Sequence, residues 1–432
     1  MAIPIKKLSS SLRDNRLVKD SFWAVFGNGL GYGLLLLAGI VIARFLGKDL
    51  YGEYGLVKTT MFQIAAFSTF GLGYTSTKFV AQYKKEDSTQ LRSIIDGSLS
   101  ITGVSSFVLA LVLVILAVPI ANYLGEPHLF KPLRYLGIII IFKAFSTTLQ
   151  GILAGLGNFK IIAQNNVVSG IVMLILCVPL TIYFGLAGSL LSLALSQFAN
   201  AAFNALKVIK TKRSLSEIKG LNYVKRLLSF SIPVAMQEFS YTAASLLSSA
   251  IIVKYSSLGQ LGIYSACQQW NAIIVFIPGL LSNVVLSHLS ASLDDSGTHS
   301  KTLKRMLLVN FVSTFIPFCL VFVFRNFIAS FYGPTFQAMP IVMTVLVFST
   351  IFQCCSSVFQ SELISKGETW VLFFIRFIRD TLIIVTMYII LSTHDPERGA
   401  LYNAVISVFY SFIYFLILIL YYLLRQFKFC NK

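Results

Sequence analysis

The chain has 432 residues, 56% of them hydrophobic and only 12% charged, with a formal net charge of +18. Soluble globular domains carry about 25% charged residues, so this composition excludes an ordinary soluble enzyme or binding module. Nucleic-acid binding would need a basic patch on a soluble module, and apolar stretches from Ser21 almost to the C-terminus leave no room for one.

The basic N-terminus, "MAIPIKKLSSSLRDNRLVKD", precedes an apolar run from Phe22 to Leu46. That run is too long for a secretory signal core and lacks a cleavage pattern, so it reads as a first membrane-spanning helix. A helix needs about 20 apolar residues to cross a bilayer. Runs of that kind predict helices near 21–45, 54–83, 97–123, 132–156, 164–184 and 188–208. A second set follows near 227–254, 262–290, 304–331, 338–364, 370–391 and 400–424. The expected fold class is an all-α polytopic membrane protein with about 12 transmembrane helices. Several spans exceed the bilayer thickness and are expected to tilt.

The basic segment 207–226 divides the chain into an N-terminal six-helix bundle (1–215) and a C-terminal one (216–432). With the N-terminus inside, the cytoplasmic segments hold twenty-three Lys and Arg residues. The outer segments hold seven: Arg44, Lys48, Lys131, Arg134, Lys254, Arg325 and Arg398. By the positive-inside rule both termini are cytoplasmic.

The two halves share a motif. "RFLGKDLYGEY" (44–54) aligns with "KYSSLGQLGIY" (254–264) at a constant offset of 210, pairing Gly52 with Gly262 and Tyr54 with Tyr264. Six spans per half give both halves the same orientation, a parallel repeat about an axis along the membrane normal. Two such bundles facing each other enclose a cleft able to open to either side, which is transporter architecture.

The polar residues inside the spans carry the functional signal. In "VLFFIRFIRDTLIIVTMYII" (371–390), Arg376, Arg379 and Asp380 fall in one arc of the helix. Ionised groups at that depth cost a contested few kcal/mol or more each and face protein or water. Arg376 and Asp380 are spaced for an i,i+4 pair, which leaves Arg379 as the surplus cation. Lys143 lies about 16 Å into its span, and Lys58 and Lys78 lie nearer helix ends, within snorkelling reach. Two readings stand: a structural Arg–Asp clasp between helices, or a cationic, substrate-binding lumen for an anionic cargo. Arginine's planar fork suits phosphate. Glu238, opposite Asn28 under the 210-residue offset, and Asp380 are candidates for ion coupling. Glu238 reads equally as a proton site or as a partner for a neighbouring Lys or Arg.

"GNGLGYG" (27–33) follows no strand and lies inside the first span, so Gly27, Gly29, Gly31 and Gly33 read as a helix-packing or hinge stripe. No GxxxxGK[ST] run is present, so any pumping draws on a gradient or another protein. His128, His288, His299 and His394 lack metal-ligand spacing and read as loop and helix-end residues. Cys177, Cys267, Cys319, Cys354 and Cys355 lie in apolar runs and read as free buried thiols. Neither a metal, a cofactor nor an enzyme's catalytic loop is expected.

"YGEYGLV" (51–57), "FGLGYTSTKFVAQY" (70–83) and "KKEDSTQLRSII" resemble the N-terminal region of Wzx-type O-antigen flippases of the MOP superfamily, relatives of MATE exporters. "FYGPTFQAMPIVMTVLVFS" (331–349) and "SELISKGETW" (361–370) are similar to the second half of that family. The resemblance implies a V-shaped pair of six-helix bundles in the bacterial inner membrane. It implies translocation of undecaprenyl-pyrophosphate-linked oligosaccharide from the cytoplasmic to the periplasmic leaflet, with proton or ion coupling. Lipid-linked oligosaccharide and membrane lipid are the expected partners, with a polysaccharide polymerase and chain-length machinery as further ones. A MATE-like antiporter of small molecules and a non-transporting assembly protein of the same pathway remain the alternatives.

Overall fold

A computed structural model of the chain describes residues 16–86, 88–213, 223–291, 296–366 and 368–430. Among the described residues the protein is all-α, with eleven α-helices, three short 3-10 turns and no strand. The composition dictates this: hydrocarbon offers the backbone no partner, so each segment must satisfy its own N–H and C=O groups. The helices are α1 (Arg16–Ser68), α2 (Leu72–Glu86), α3 (Ser88–Leu124), α4 (Phe130–Gly155), α5 (Phe159–Arg213) and α6 (Tyr223–Tyr255). They continue with α7 (Leu258–Ala291), α8 (Ser296–Ser330), α9 (Met339–Ser365), α10 (Thr369–Thr393) and α11 (Gly399–Cys430). Seven described helices are long and apolar enough to cross a membrane, so the chain is a polytopic membrane protein. The expected half-chain boundary near 215 lies outside the described residues, as do the basic residues before Arg16.

Helix boundaries depart from the twelve-segment expectation at three places. Gly47 (φ 70°) joins the first expected span to the start of the second within α1, and Gly185 (φ 55°) joins the fifth and sixth within α5. The left-handed conformation is open to glycine without a Cβ penalty. At Gly185 the chain folds back on itself: Thr181 and Ser189 hydroxyls lie 3.0 Å apart, and Ser169 bonds Ser196 at 2.9 Å. The second expected span, 54–83, is interrupted at Thr69–Gly71, where Phe70 and Gly71 take φ of 47° and 70°. The cause is local. Ser68 and Thr69 hydroxyls donate back to the Ala65 and Ala66 carbonyls at 2.8 Å, competing with the helical ladder. The Ser105 hydroxyl then donates to the Ser68 carbonyl at 2.5 Å, so the break leaves that acceptor satisfied.

Two compact units form. One draws on the chain up to Ala38, Val57–Asn122 and Pro127–Thr242; the other on Gly39–Leu56, Tyr123–Glu126 and Ala243 onward. In the first unit α2 approaches α4 backbone to backbone, because a Cβ on Gly151 would strike Gly73, and the Thr77 hydroxyl donates to the Gly151 carbonyl at 2.9 Å. Buried hydroxyl pairs Thr102–Thr148, Ser76–Ser98 and Thr75–Ser231 tie α3, α2 and α6 into the same core. Gly27 and Gly31 pack against Ala163 and Asn166 of α5, whereas a Cβ on Gly33 would meet nothing within 4 Å. Gly27 and Gly31 therefore pack as the small-residue stripe expected of all four, and Gly33 does not; Gly29 is half-buried. Gly27→Leu is expected to cost about 1–3 kcal/mol by overpacking and Gly33→Leu almost nothing. Thermal unfolding of the two variants in detergent checks this.

In the second unit α9 runs between α7, α8 and α11, with Phe352, Phe359, Phe412, Phe415 and Tyr422 interleaved edge to face. The same unit contains the shared motif. A Cβ on Gly52 would strike the Leu258 carbonyl, and a Cβ on Gly262 would strike the Lys48 carbonyl. Gly259 lies against Asp49, and Gly55 against Ser265. Each pair joins positions exchanged by the 210-residue offset, so the contact is reciprocal. Tyr51 accepts a hydrogen bond from Gln269 and packs edge-on against Phe336 at 5.9 Å. Cys177, Cys267, Cys319, Cys354 and Cys355 are unpaired thiols, as expected.

Candidate functional site

Arg376, Arg379 and Asp380 lie mid-way along α10, in the second unit. The expected i,i+4 pair does not form. Instead Arg379 donates from Nε and Nη2 to one oxygen of Asp380, Oδ1, at 2.9 and 2.6 Å. The reason lies on α11: the Arg379 guanidinium stacks 4.6 Å from the centre of the Tyr414 ring, which holds its fork beside Asp380. Arg376, half-buried, is thereby left with no carboxylate partner among the described residues, and it rather than Arg379 is the surplus cation. Tyr414 is 2% exposed and its hydroxyl has no hydrogen-bond partner among the described residues. Two turns along, Thr386 and Tyr410 hydroxyls meet at 2.6 Å and hold α10 to α11.

The lysine candidates lie in the first unit. Lys143 on α4 is half-buried, with its ammonium 4.8 Å from the Phe62 ring and no carboxylate within ion-pair distance among the described residues. Lys58 is half-buried on α1, and Lys78 is exposed on α2 with its ammonium 5.8 Å from the Phe79 ring. Glu238 belongs to α6, but its side chain lies outside the described residues.

One turn and two turns beyond Lys143 stand Ser146 and Gln150, and both enter an amide network. The Asn200 carbonyl oxygen accepts from Ser146 (2.5 Å), Gln150 (2.9 Å) and Asn204 (2.8 Å). Asn166 accepts from Gln150 and Asn200, both at 2.9 Å, and donates to Asn28 at 2.6 Å. Asn165 donates to Asn204 at 2.8 Å. Four stretches of chain, from α1, α4 and both arms of α5, are thus bound by uncharged groups. Sequence reasoning registered only Asn28. The spacing of Asn200 and Asn204, opposite Asn165 and Asn166, carried the signal. Asn200→Leu strands three donors at once and is expected to destabilise the first unit by about 1–3 kcal/mol. A fall in detergent melting temperature, with Asn200→Asp affected less, measures it.

A second ionic cluster also escaped the sequence reading. His299, read as an ordinary helix-end residue, is buried and bonds Glu362 at 2.7 Å. Glu362, 1% exposed, also pairs with Lys366, and nearby on the same helix ends Glu368 joins Arg425 and Tyr421. The cluster ties the ends of α8 and α9 to each other, and the residue before α10 to the end of α11.

A family model described as "Polysaccharide biosynthesis protein" matches residues 17–287, more than half the chain. An uncharacterized membrane protein of Methanocaldococcus jannaschii is 23% identical over 406 residues, covering 91% of this chain and 95% of that protein. An inward-facing multidrug resistance MATE family transporter of the MOP superfamily superposes with a TM-score of 0.78 at 14% identity, covering 91% and 94% of the two chains. The lipid II flippase MurJ, in an inward closed conformation, superposes with a TM-score of 0.71 at 16% identity, covering 93% and 87%. At these identities the two superpositions establish a shared fold.

Proposed function

The chain belongs to the family of polysaccharide biosynthesis proteins, and from that premise we propose that it is a flippase for a lipid-linked oligosaccharide. The cargo is an undecaprenyl-pyrophosphate-linked unit, O-antigen or a related surface polysaccharide, moved by alternating access from the cytoplasmic to the periplasmic leaflet. Its setting is a bacterial inner membrane with both chain termini cytoplasmic, as the Lys and Arg asymmetry supports.

The observation that carries this reading is Arg376, a guanidinium in the middle of an apolar helix with no carboxylate partner among the described residues. An uncompensated cation at such depth is retained for a ligand that completes it, and a pyrophosphate supplies two charged groups for arginine forks. Lys143 adds a second unpaired cation in the other unit. Lys58 and Lys78 extend the cationic set, and the amides near Lys143 suit sugar hydroxyls. Glu238 and Asp380 are the acids available for proton or ion coupling.

The similarity to a MATE transporter favours a second reading, antiport of small molecules. The surplus cations argue against cationic drugs as that cargo. Purified protein in proteoliposomes, given a fluorescent undecaprenyl-pyrophosphate-linked oligosaccharide, tests the proposal. Accessibility of the sugar to an external lectin should rise with protein present. No rise above empty liposomes overturns the proposal.

A further inference from the structure

The Arg379–Asp380 pair joins residues adjacent in one helix, which project about 100° apart and do not face each other. The more favourable i,i+4 partner of Asp380, Arg376, is left aside. Both Arg379 donors converge on a single oxygen, Oδ1, rather than forming two parallel bonds to two oxygens. The Nε–Nη2 edge used here presents two donors side by side, the arrangement with which arginine can grip a phosphate. Neither partner is fully sealed: the side chains are 19% and 15% exposed. Tyr414 fixes the guanidinium plane from behind, so the fork keeps its orientation whichever anion it holds.

We propose that Asp380 is an internal stand-in for the substrate anion. It occupies the Arg379 fork in the empty protein, and a phosphoryl group displaces it. This deepens the flippase reading and rests on it. When one phosphoryl group of a pyrophosphate takes the fork, the carboxylate is released from it, and the second phosphoryl group is left for Arg376, one turn away. Loading therefore exchanges the partner of Arg379 while supplying one to Arg376. The device limits affinity, which lets the cargo leave on the far side, and it favours anions that outcompete a carboxylate over those that do not.

The test uses full-length protein in nanodiscs with farnesyl pyrophosphate as the probe. Asp380→Asn, which keeps shape and removes charge, is expected to bind the probe about tenfold more tightly than wild type. Asp380→Glu, which can close on the fork again, is expected to return affinity to the wild-type range. The gain should vanish in Asp380→Asn combined with Arg379→Ala. Equal or weaker binding by Asp380→Asn, with wild type binding normally, overturns the stand-in role and leaves the flippase reading intact. A gain that survives loss of Arg379 also overturns it. Absence of probe binding by wild type and every variant overturns both.

Discussion

Arg376→Ala is expected to cut translocation of a lipid-linked oligosaccharide at least about tenfold while leaving thermal stability unchanged or raised. The two halves of that expectation come from the same fact. A guanidinium without a carboxylate partner contributes desolvation cost to the folded protein and no ion pair in return, so removing it relieves the fold. A bond from arginine to a charged ligand is worth about 1.5–3 kcal/mol, a factor of about ten or more in affinity. A structural residue would lose stability and transport together. Arg376→Lys keeps the charge but not the fork, and an intermediate rate would separate the two contributions. Normal lectin-accessible flipping by Arg376→Ala would remove the residue from the site. Arg379→Ala should behave differently, because it frees Asp380 to pair with Arg376 and so silences both cations without a gain in stability.

The second large effect is expected at the reciprocal glycines. Gly52→Ala and Gly262→Ala each place a methyl group against a carbonyl of the opposing segment, where no rotamer change relieves the collision. Each should cost about 1–3 kcal/mol in detergent melting experiments, the usual range for overpacking. The double variant should cost much less than the sum, because one separation of the two segments accommodates both methyl groups. Additive losses would show that the two contacts are independent rather than one symmetric crossing.

The helical fold and membrane character were legible because apolar length alone dictates them. The offset of 210 was also legible, and its glycines meet in space. What the sequence concealed was competition. Asp380 had two arginines within reach, and local spacing favoured Arg376; the choice of Arg379 was made by Tyr414, a ring on another helix that no spacing rule connects to it. The break at Thr69–Gly71 was hidden for a similar reason. Its hydroxyls and glycines sit inside a stretch whose overall hydropathy still reads as one span. The amide network escaped because single asparagines look incidental until four stretches of chain bring them together. His299 was passed over because its partner, Glu362, is 63 residues away.

The crossing of residues 48–55 with 258–265 also constrains how the molecule is made. At about 5–20 residues per second, the ribosome needs roughly 10–40 s to synthesise the chain separating the two segments. Through that interval Gly52 lacks the Leu258 carbonyl, and Gly55 the Ser265 side chain, against which each packs. The first segment therefore completes its packing only after more than half the protein has been inserted. An isolated N-terminal fragment, however well its other helices assemble, carries this seam open, and co-expression of the C-terminal fragment is what closes it.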